Sequence, residues 1–213
     1  VNSTVKHIIQ DENAFSGLFE VASLDYNTYT HSVNTAVIGL LFGKYLSLTQ
    51  HELDCLGIGL MLHDIGKLSI PPKVINKSGR VSGSELDTIK KHPKAGLDLL
   101  AHRNYIDGLS LKVVIQHHEN HDGSGYPYGI GGSDIHMFGS ISRIIDVYDA
   151  MTTNRSYAKA KRPFAVLVEM KETMSNCFNE ELLREFVCFL GPKDSRSEIR
   201  EEDELYSTAY AVN

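Results

Sequence analysis

The sequence is short of cysteine: Cys55, Cys177 and Cys188 are the only three in 213 residues, and no two are near neighbours. An odd, scattered set excludes a disulfide framework. With Cys55 and Cys188 inside apolar helical patterns, it predicts reduced thiols in a cytoplasmic core. No stretch reaches the roughly 20 consecutive apolar residues of a membrane span, and no basic-then-apolar leader opens the chain. Neither a span nor a signal peptide is therefore expected in this segment. Basic charge is scarce too, with 21 Lys and Arg against 27 Asp and Glu and a formal net charge of −6. That argues against wrapping a DNA or RNA duplex, which needs clustered cations to neutralise phosphates. A small anionic ligand stays open, because bound metals can supply a local positive field whatever the sign of the whole surface. Strand alternation and internal repeats are also missing, which leaves helical spacing and an all-α bundle of about seven helices.

At 42% hydrophobic residues the chain can bury a substantial core. Residues 1–24 read as an N-terminal helix or linker, 25–192 as the main domain and 193–213 as an acidic C-terminal tail. A chain that begins with Val1 rather than methionine fits a piece of a longer protein. An attached sensor domain or a homodimer is the expected context.

What is present is concentrated around residues 61–67, M-L-H-D-I-G-K. Leu53, Leu56, Ile58, Leu60 and Leu62 make an apolar helical run that begins at the cap Thr49, and Gly66 with Pro71 and Pro72 denies it continuation. His63 and Asp64 are then expected in its last turn, where neighbours point about 100° apart and can face two cations or bridge them. Taken alone, the doublet is equally an ordinary histidine at a helix C-terminus beside a solvated carboxylate. Upstream, a helix over residues 26–48 carries His31 and an apolar stripe of Val33, Val37, Leu40, Leu41 and Leu48. Downstream, residues 68–84 read as a loop, a helix starts at Ser84, and His92-Pro93 marks a rigid junction before the helix that runs to about Ala101.

Residues 109–119, L-S-L-K-V-V-I-Q-H-H-E, end a helix in two consecutive histidines and a carboxylate. A loop over residues 120–132 follows, holding Gly123, Gly125, Gly129, Gly131, Gly132 and Pro127 with Tyr126 at its centre. Tyr126 can stack on a base, or its ring can pin the loop to the core. The next helix is expected from Ser133-Asp134 through Met151. It carries Asp146 and Asp149 three residues apart, and carboxylates in an apolar helix are costly to bury unless a cation or donor meets them. Arg155, Tyr157, Lys159 and Lys161 form a polar connection, and two further helices close the domain.

His31, His63, Asp64, His92, His117, His118 and Asp146 together offer five imidazoles and two carboxylates from five segments, nearly a complete dinuclear site. With no sulfur among them, these donors suit divalent transition-metal ions: iron, manganese or nickel, with zinc also fitting. Two ions about 3.5–4 Å apart can activate a bridging water and neutralise a phosphoryl group. The reaction this predicts is phosphate-ester hydrolysis.

His63-Asp64-Ile65-Gly66-Lys67, joined to His117-His118-Glu119-Asn120-His121-Asp122-Gly123-Ser124-Gly125-Tyr126-Pro127, resembles the HD-GYP domain, a branch of the HD superfamily. The likeness extends over about residues 26–190. It implies an HD-domain helical bundle with a dinuclear metal site at its centre and hydrolysis of a bacterial cyclic dinucleotide, either cyclic di-GMP or 3'3'-cyclic GMP-AMP. By the same likeness His31, His63, Asp64 and Asp146 hold one metal, and Asp64 bridges to a second held by His92, His117 and His118. Lys67 then acts on the scissile phosphate, Tyr126 and Arg155 contact the nucleotide, and Asp149 lies near the metals on the substrate side. Two departures stand out. Asn27 occupies the place of a glutamate that serves a third metal in some members, which implies two ions here. Ala158 follows Tyr157 where a basic residue is usual, with Lys159 beside it. These departures motivate an alternative, a cyclic-dinucleotide-binding or partner-docking signalling module that is catalytically weak. His7, His51, His102, His121 and His136 are expected on the surface.

Overall fold

The computed structural model describes residues 26–75, 77, 79, 81–154 and 159–191, and every regular element among them is helical. The expected N-terminal helix, the acidic tail, Arg155 and Ala158 lie outside the described residues. In chain order the α-helices are α1 (Tyr26–Tyr45), α2 (Gln50–Leu62), α3 (Pro72–Ile75), α4 (Gly83–Ile89), α5 (His92–Leu100), α6 (Gly108–Gln116), α7 (Met137–Thr152), α8 (Pro163–Thr173) and α9 (Glu180–Leu190). Short 3-10 turns sit at Ile65–Ser69, Gly132–Asp134 and Ser175–Cys177. Leaving aside α3 and the two-turn α4, seven helices build the bundle among the described residues.

The helix starts follow capping chemistry. Thr49 and Glu52 form a reciprocal capping box at α2, and Ser82 and Glu85 form another at α4. Helix α4 therefore begins one residue before the expected Ser84, because the hydroxyl that reaches the Glu85 amide belongs to Ser82. Ser133 and Asp134 do not open α7. They lie in a separate 3-10 turn, Ile135 is buried behind it, and the ring Nδ1 of His136 accepts the Phe138 N–H as the true cap.

The main core gathers α1, α2, α7, α8 and α9 around Phe42, Leu56, Leu60, Phe138, Ile141, Ile144, Ile145, Met170 and Phe186. Phe42 and Phe186 meet edge-to-face at 5.1 Å, and Tyr148 meets Phe186 the same way at 5.3 Å. Full burial of each such ring contributes about 1.5–3 kcal/mol, with roughly 0.5–1.5 more for the aromatic pairing. A smaller cluster of Leu62, Ile65, Leu100 and Val114 packs α2, α5 and α6 together.

The expected apolar stripe of α1 is not its buried face. Val37 and Leu41 are 52% and 55% exposed, whereas His31, Ser32, Thr35, Ala36 and Phe42 are buried. Close approach explains the choice of small residues: a Cβ on Gly39 would lie 2.1 Å from the Leu60 side chain. The same face brings His31 inward. A second close approach governs the end of α2, where a Cβ on Gly66 would lie 1.9 Å from the His92 carbonyl oxygen and 2.5 Å from the Gly96 amide. Only glycine lets this turn lie against α5.

Candidate metal centre

Five separate segments deliver side chains to one buried space. His31 comes from α1, His63 and Asp64 from the joint between α2 and the following 3-10 turn, and His92 from the first residue of α5. His117 and His118 follow α6, and Asp146 lies on α7. The two doublets sit just past their helices rather than in the last turn: α2 stops at Leu62 and α6 at Gln116, with His63 and His117 as the C-caps.

That placement gives each ring an orienting partner. The last carbonyls of a helix lack intrahelical donors, and three histidines use them. His63 Nδ1 bonds Leu60 O at 2.6 Å, His92 Nδ1 bonds Ile89 O at 2.8 Å and His117 Nδ1 bonds Val114 O at 2.9 Å. A carbonyl can only accept, so Nδ1 carries the proton in all three rings and Nε2 presents a bare lone pair. Those lone pairs converge. His92 Nε2 lies 3.0 Å from His117 Nε2 and 3.3 Å from Asp64 Oδ1, while His63 Nε2 lies 3.4 Å from Asp64 Oδ2. His63 Nε2 and Asp64 Oδ1 are buried without a hydrogen-bond donor. Buried acceptors facing one another are unfavourable unless a cation stands among them, so the residues present fit metal ions.

The carboxylates tie the set into one centre. Asp64 turns one oxygen toward His63 and the other toward His92, and Asp146 places Oδ1 3.0 Å from His31 Nε2 and Oδ2 3.6 Å from His118 Nδ1. Within this set, the donor atoms of His31, His63 and Asp64 all lie within 4.8 Å of one another, as do those of His92, His117 and His118.

Electrostatics keeps most of these groups in their ligating form. Burial pushes the imidazoles of His63, His92, His117 and His118 down, His92 to about 4 and His118 to about 3. Burial would raise Asp64, but the charge of Lys67 and then of the histidines outweighs it and holds the carboxyl well below its ordinary range. His31 runs the other way. Burial lowers it, yet its bonds to Asp146 and Asp149 prevail and raise it to about 9.

Of the residues expected to meet substrate, Lys67 bonds Asp64 Oδ2 at 2.6 Å with its side chain 24% exposed, so it sits at the rim of the buried cluster. Tyr126 stacks on the His118 ring at 4.6 Å, because the loop folds back and the Tyr126 amide donates to His118 O. A Cβ on Gly125 would lie 2.3 Å from the Asn120 amide, so this return is open only to glycine. Asp149 turns inward: its Oδ2 lies 2.6 Å from His31 Nδ1, behind the ring. That fixes the His31 tautomer and leaves Nε2 for the centre.

Arg143 and Lys90 were not singled out from the sequence, whereas Glu119 and Asp122 belong to the histidine and glycine-loop motif read there. Glu119 is fully buried and accepts the Tyr128 amide at 2.7 Å, anchoring the loop. Arg143 holds Asn120 at 2.9 Å, and Lys90 lies 5.6 Å from the Tyr126 ring centre. Asp122 shapes the loop through bonds to the Ser124 amide and hydroxyl. Glu119 directly follows the histidine pair and Arg143 precedes Asp146 by one turn, so adjacency was the available signal. Two histidines expected on the surface are half-buried: His136 caps α7, and His121 keeps a buried Nδ1.

Residues 18–182 match the family model described as HD domain. Over 184 residues the chain is 30% identical to a cyclic di-GMP phosphodiesterase, PA4108 of Pseudomonas aeruginosa, covering 86% of this chain and 44% of that one. It is 35% identical over 111 residues to 3'3'-cGAMP-specific phosphodiesterase 2 of Vibrio cholerae, covering 52% of this chain and 21% of that one. Among solved structures, Bd1817, an HDG"Y"P protein from Bdellovibrio bacteriovorus, superposes with a TM-score of 0.61 at 18% identity, over 73% of this chain and 50% of that one. The chain spans less than half the length of each of these two curated relatives.

Proposed function

The chain belongs to the HD domain family, and from that membership together with its converging lone pairs we propose an HD-GYP phosphodiesterase that hydrolyses a cyclic dinucleotide to the linear dinucleotide. In this reading His31, His63, Asp64 and Asp146 would hold one divalent transition-metal ion, and His92, His117 and His118 would hold a second, with Asp64 facing both sets. The observation that carries the reading is the inward-facing set of bare Nε2 atoms, His63, His92 and His117, around a carboxylate with one oxygen toward each half.

When bound, such an ion pair supplies activation of a water and neutralisation of phosphoryl charge. The chain's own residues do the rest. Lys67, paired to Asp64 at the rim, meets the phosphate as an ammonium, stabilises its developing charge and can hand a proton to the leaving oxygen. Tyr126 braces His118 by stacking on its ring, and its phenol is offered to the nucleotide. Asp149 keeps the His31 ring aimed. Curated relatives carry the names of both cyclic di-GMP and 3'3'-cGAMP phosphodiesterases, which supports the substrate class.

Elemental analysis of freshly purified protein, paired with product analysis on both cyclic dinucleotides, tests the reading. Two ions per chain and linear products are expected. Metal-replete protein that binds a cyclic dinucleotide yet shows no turnover with any divalent ion would instead support the signalling-module alternative; protein that holds no metal would refute both the centre and the activity.

A further inference from the structure

Away from this centre, at the start of α2, three donors of different chemistry meet. His51 and Cys55 are one turn apart on α2, and Asp107 is the N-cap of α6. His51 Nε2 lies 3.5 Å from Asp107 Oδ2 and 3.8 Å from Cys55 Sγ, and the donor atoms of all three lie within 4.8 Å of one another. We propose that His51, Cys55 and Asp107 form a second, mononuclear metal site for a zinc-class ion, which clamps the start of α2 to the start of α6.

Two of the three donor separations fit such an ion, and the sulfur–oxygen pair lies within 4.8 Å. Tetrahedral zinc with bonds of about 2.0–2.1 Å to nitrogen, 2.1 Å to oxygen and 2.3 Å to sulfur sets its ligands about 3.4–3.6 Å apart. The nitrogen–oxygen pair already has that separation, and the nitrogen–sulfur pair needs a few tenths of an ångström, within reach of an exposed imidazole. Asp107 is preset for the role: its Oδ1 accepts the Leu109 amide at 2.7 Å, which turns Oδ2 toward His51. Ser110 on the same helix donates to the Cys55 carbonyl at 2.8 Å, so the two elements are already joined beside the donors. The thiol selects the ion class, since sulfur with imidazole favours zinc over magnesium, calcium or manganese. Binding releases the thiol proton to solvent, and one thiolate with one carboxylate balances a divalent charge. The fourth position opens to water, because His51 and Asp107 are both exposed.

This site is separate from the dinuclear centre. Twelve residues of helical rise, about 18 Å, separate His51 from His63. The clamp would still bear on that centre, because α2 and α6 are the two helices whose far ends present His63, Asp64, His117 and His118.

Cobalt titration of the intact, metal-loaded chain distinguishes the two sites, because only a sulfur ligand gives a near-ultraviolet thiolate-to-cobalt charge-transfer band and the dinuclear donors contain no sulfur. The band is expected to saturate at one equivalent and to be displaced by Zn2+. It should vanish in Cys55→Ser and His51→Ala and weaken in affinity at least about tenfold in Asp107→Asn, which keeps the helix cap. His51→Ala alters an exposed ring and serves if Cys55→Ser fails to fold. Absence of the band in the wild-type chain overturns the proposal. So does a band that survives His51→Ala and Asp107→Asn, which would trace it to Cys177 or Cys188.

Discussion

In one half of the proposed dinuclear centre His31 stands between Asp146 at 3.0 Å and Asp149 at 2.6 Å; in the other, His92, His117 and His118 crowd together and meet carboxylates only through the shared Asp64 and Asp146. In the first half His31 is satisfied by its carboxylates, while His63 keeps a bare buried Nε2. A histidine raised to about 9 between two carboxylates is an ion pair that holds its shape without a metal. The second half is three neutral rings, all held below the ordinary histidine value, with His92 and His117 turning lone pairs on each other at 3.0 Å. Backbone carbonyls hold those two rings in place at a cost that only a cation offsets. His31 is therefore preorganised by charge and His63, His92 and His117 by the ends of helices, and Asp64 is where the two sets join.

Removing that joint should have the largest effect. Asp64→Ala is expected to lower metal content in both halves and to take hydrolysis to background, read by elemental analysis and product chromatography. A variant that keeps both ions would show that the halves do not depend on a shared ligand. Lys67→Ala belongs to neither half: metal content should stay at the wild-type level while kcat falls about 10²–10³-fold, the usual loss when one charge-stabilising donor is removed.

Asp149→Asn acts on one half only. The His31 ring loses its anionic partner, and affinity for one ion should fall about 10–100-fold while the other is retained through mild chelation. Equal loss of both ions would erase the distinction between the halves.

The smallest effect expected is also the one that separates the halves by sign. In chelated protein His31 has a folded-state pKa of about 9 against an ordinary 6.5, so its contribution is complete below about pH 6.5 and lost as pH rises through 9. His92 and His118, held at about 4 and about 3, contribute above pH 6.5 and lose that contribution as pH falls through those values. Denaturant unfolding of the chelated protein should peak near pH 6.5, with a loss on the order of 3 kcal/mol on the alkaline side and a larger one on the acid side, where two rings titrate. His31→Asn should flatten the alkaline side alone, and a decline on both sides in that variant would contradict the assignment.

Much of this was legible along the chain. The helical spacing, the cap at Thr49, the break at Gly66 and the junction at His92-Pro93 are local properties, set by hydrogen-bond geometry over a few residues, and the described helices follow them. The α1 stripe was misread because periodicity reports apolar residues, not which face meets a close neighbour. Val37 and Leu41 face out since Gly39 must lie against Leu60. Asp149 does lie by the metal ligands, as the resemblance implied, but its sequence position says only that it shares a face with Asp146. Its bond to His31 spans 118 residues, and no local signal encodes that.

By itself, then, the sequence determined the helices, caps such as Thr49 and the donor types on offer, since these depend on backbone chemistry within a turn or two. Tertiary structure alone decided the rest: that the bare nitrogens of separate helices converge, that both Asp64 and Asp146 reach across the two halves, and that Cys55 shares a corner with His51 and Asp107. Those facts depend on the angles at which helices cross, and the crossing angles come from the packing of residues far apart along the chain.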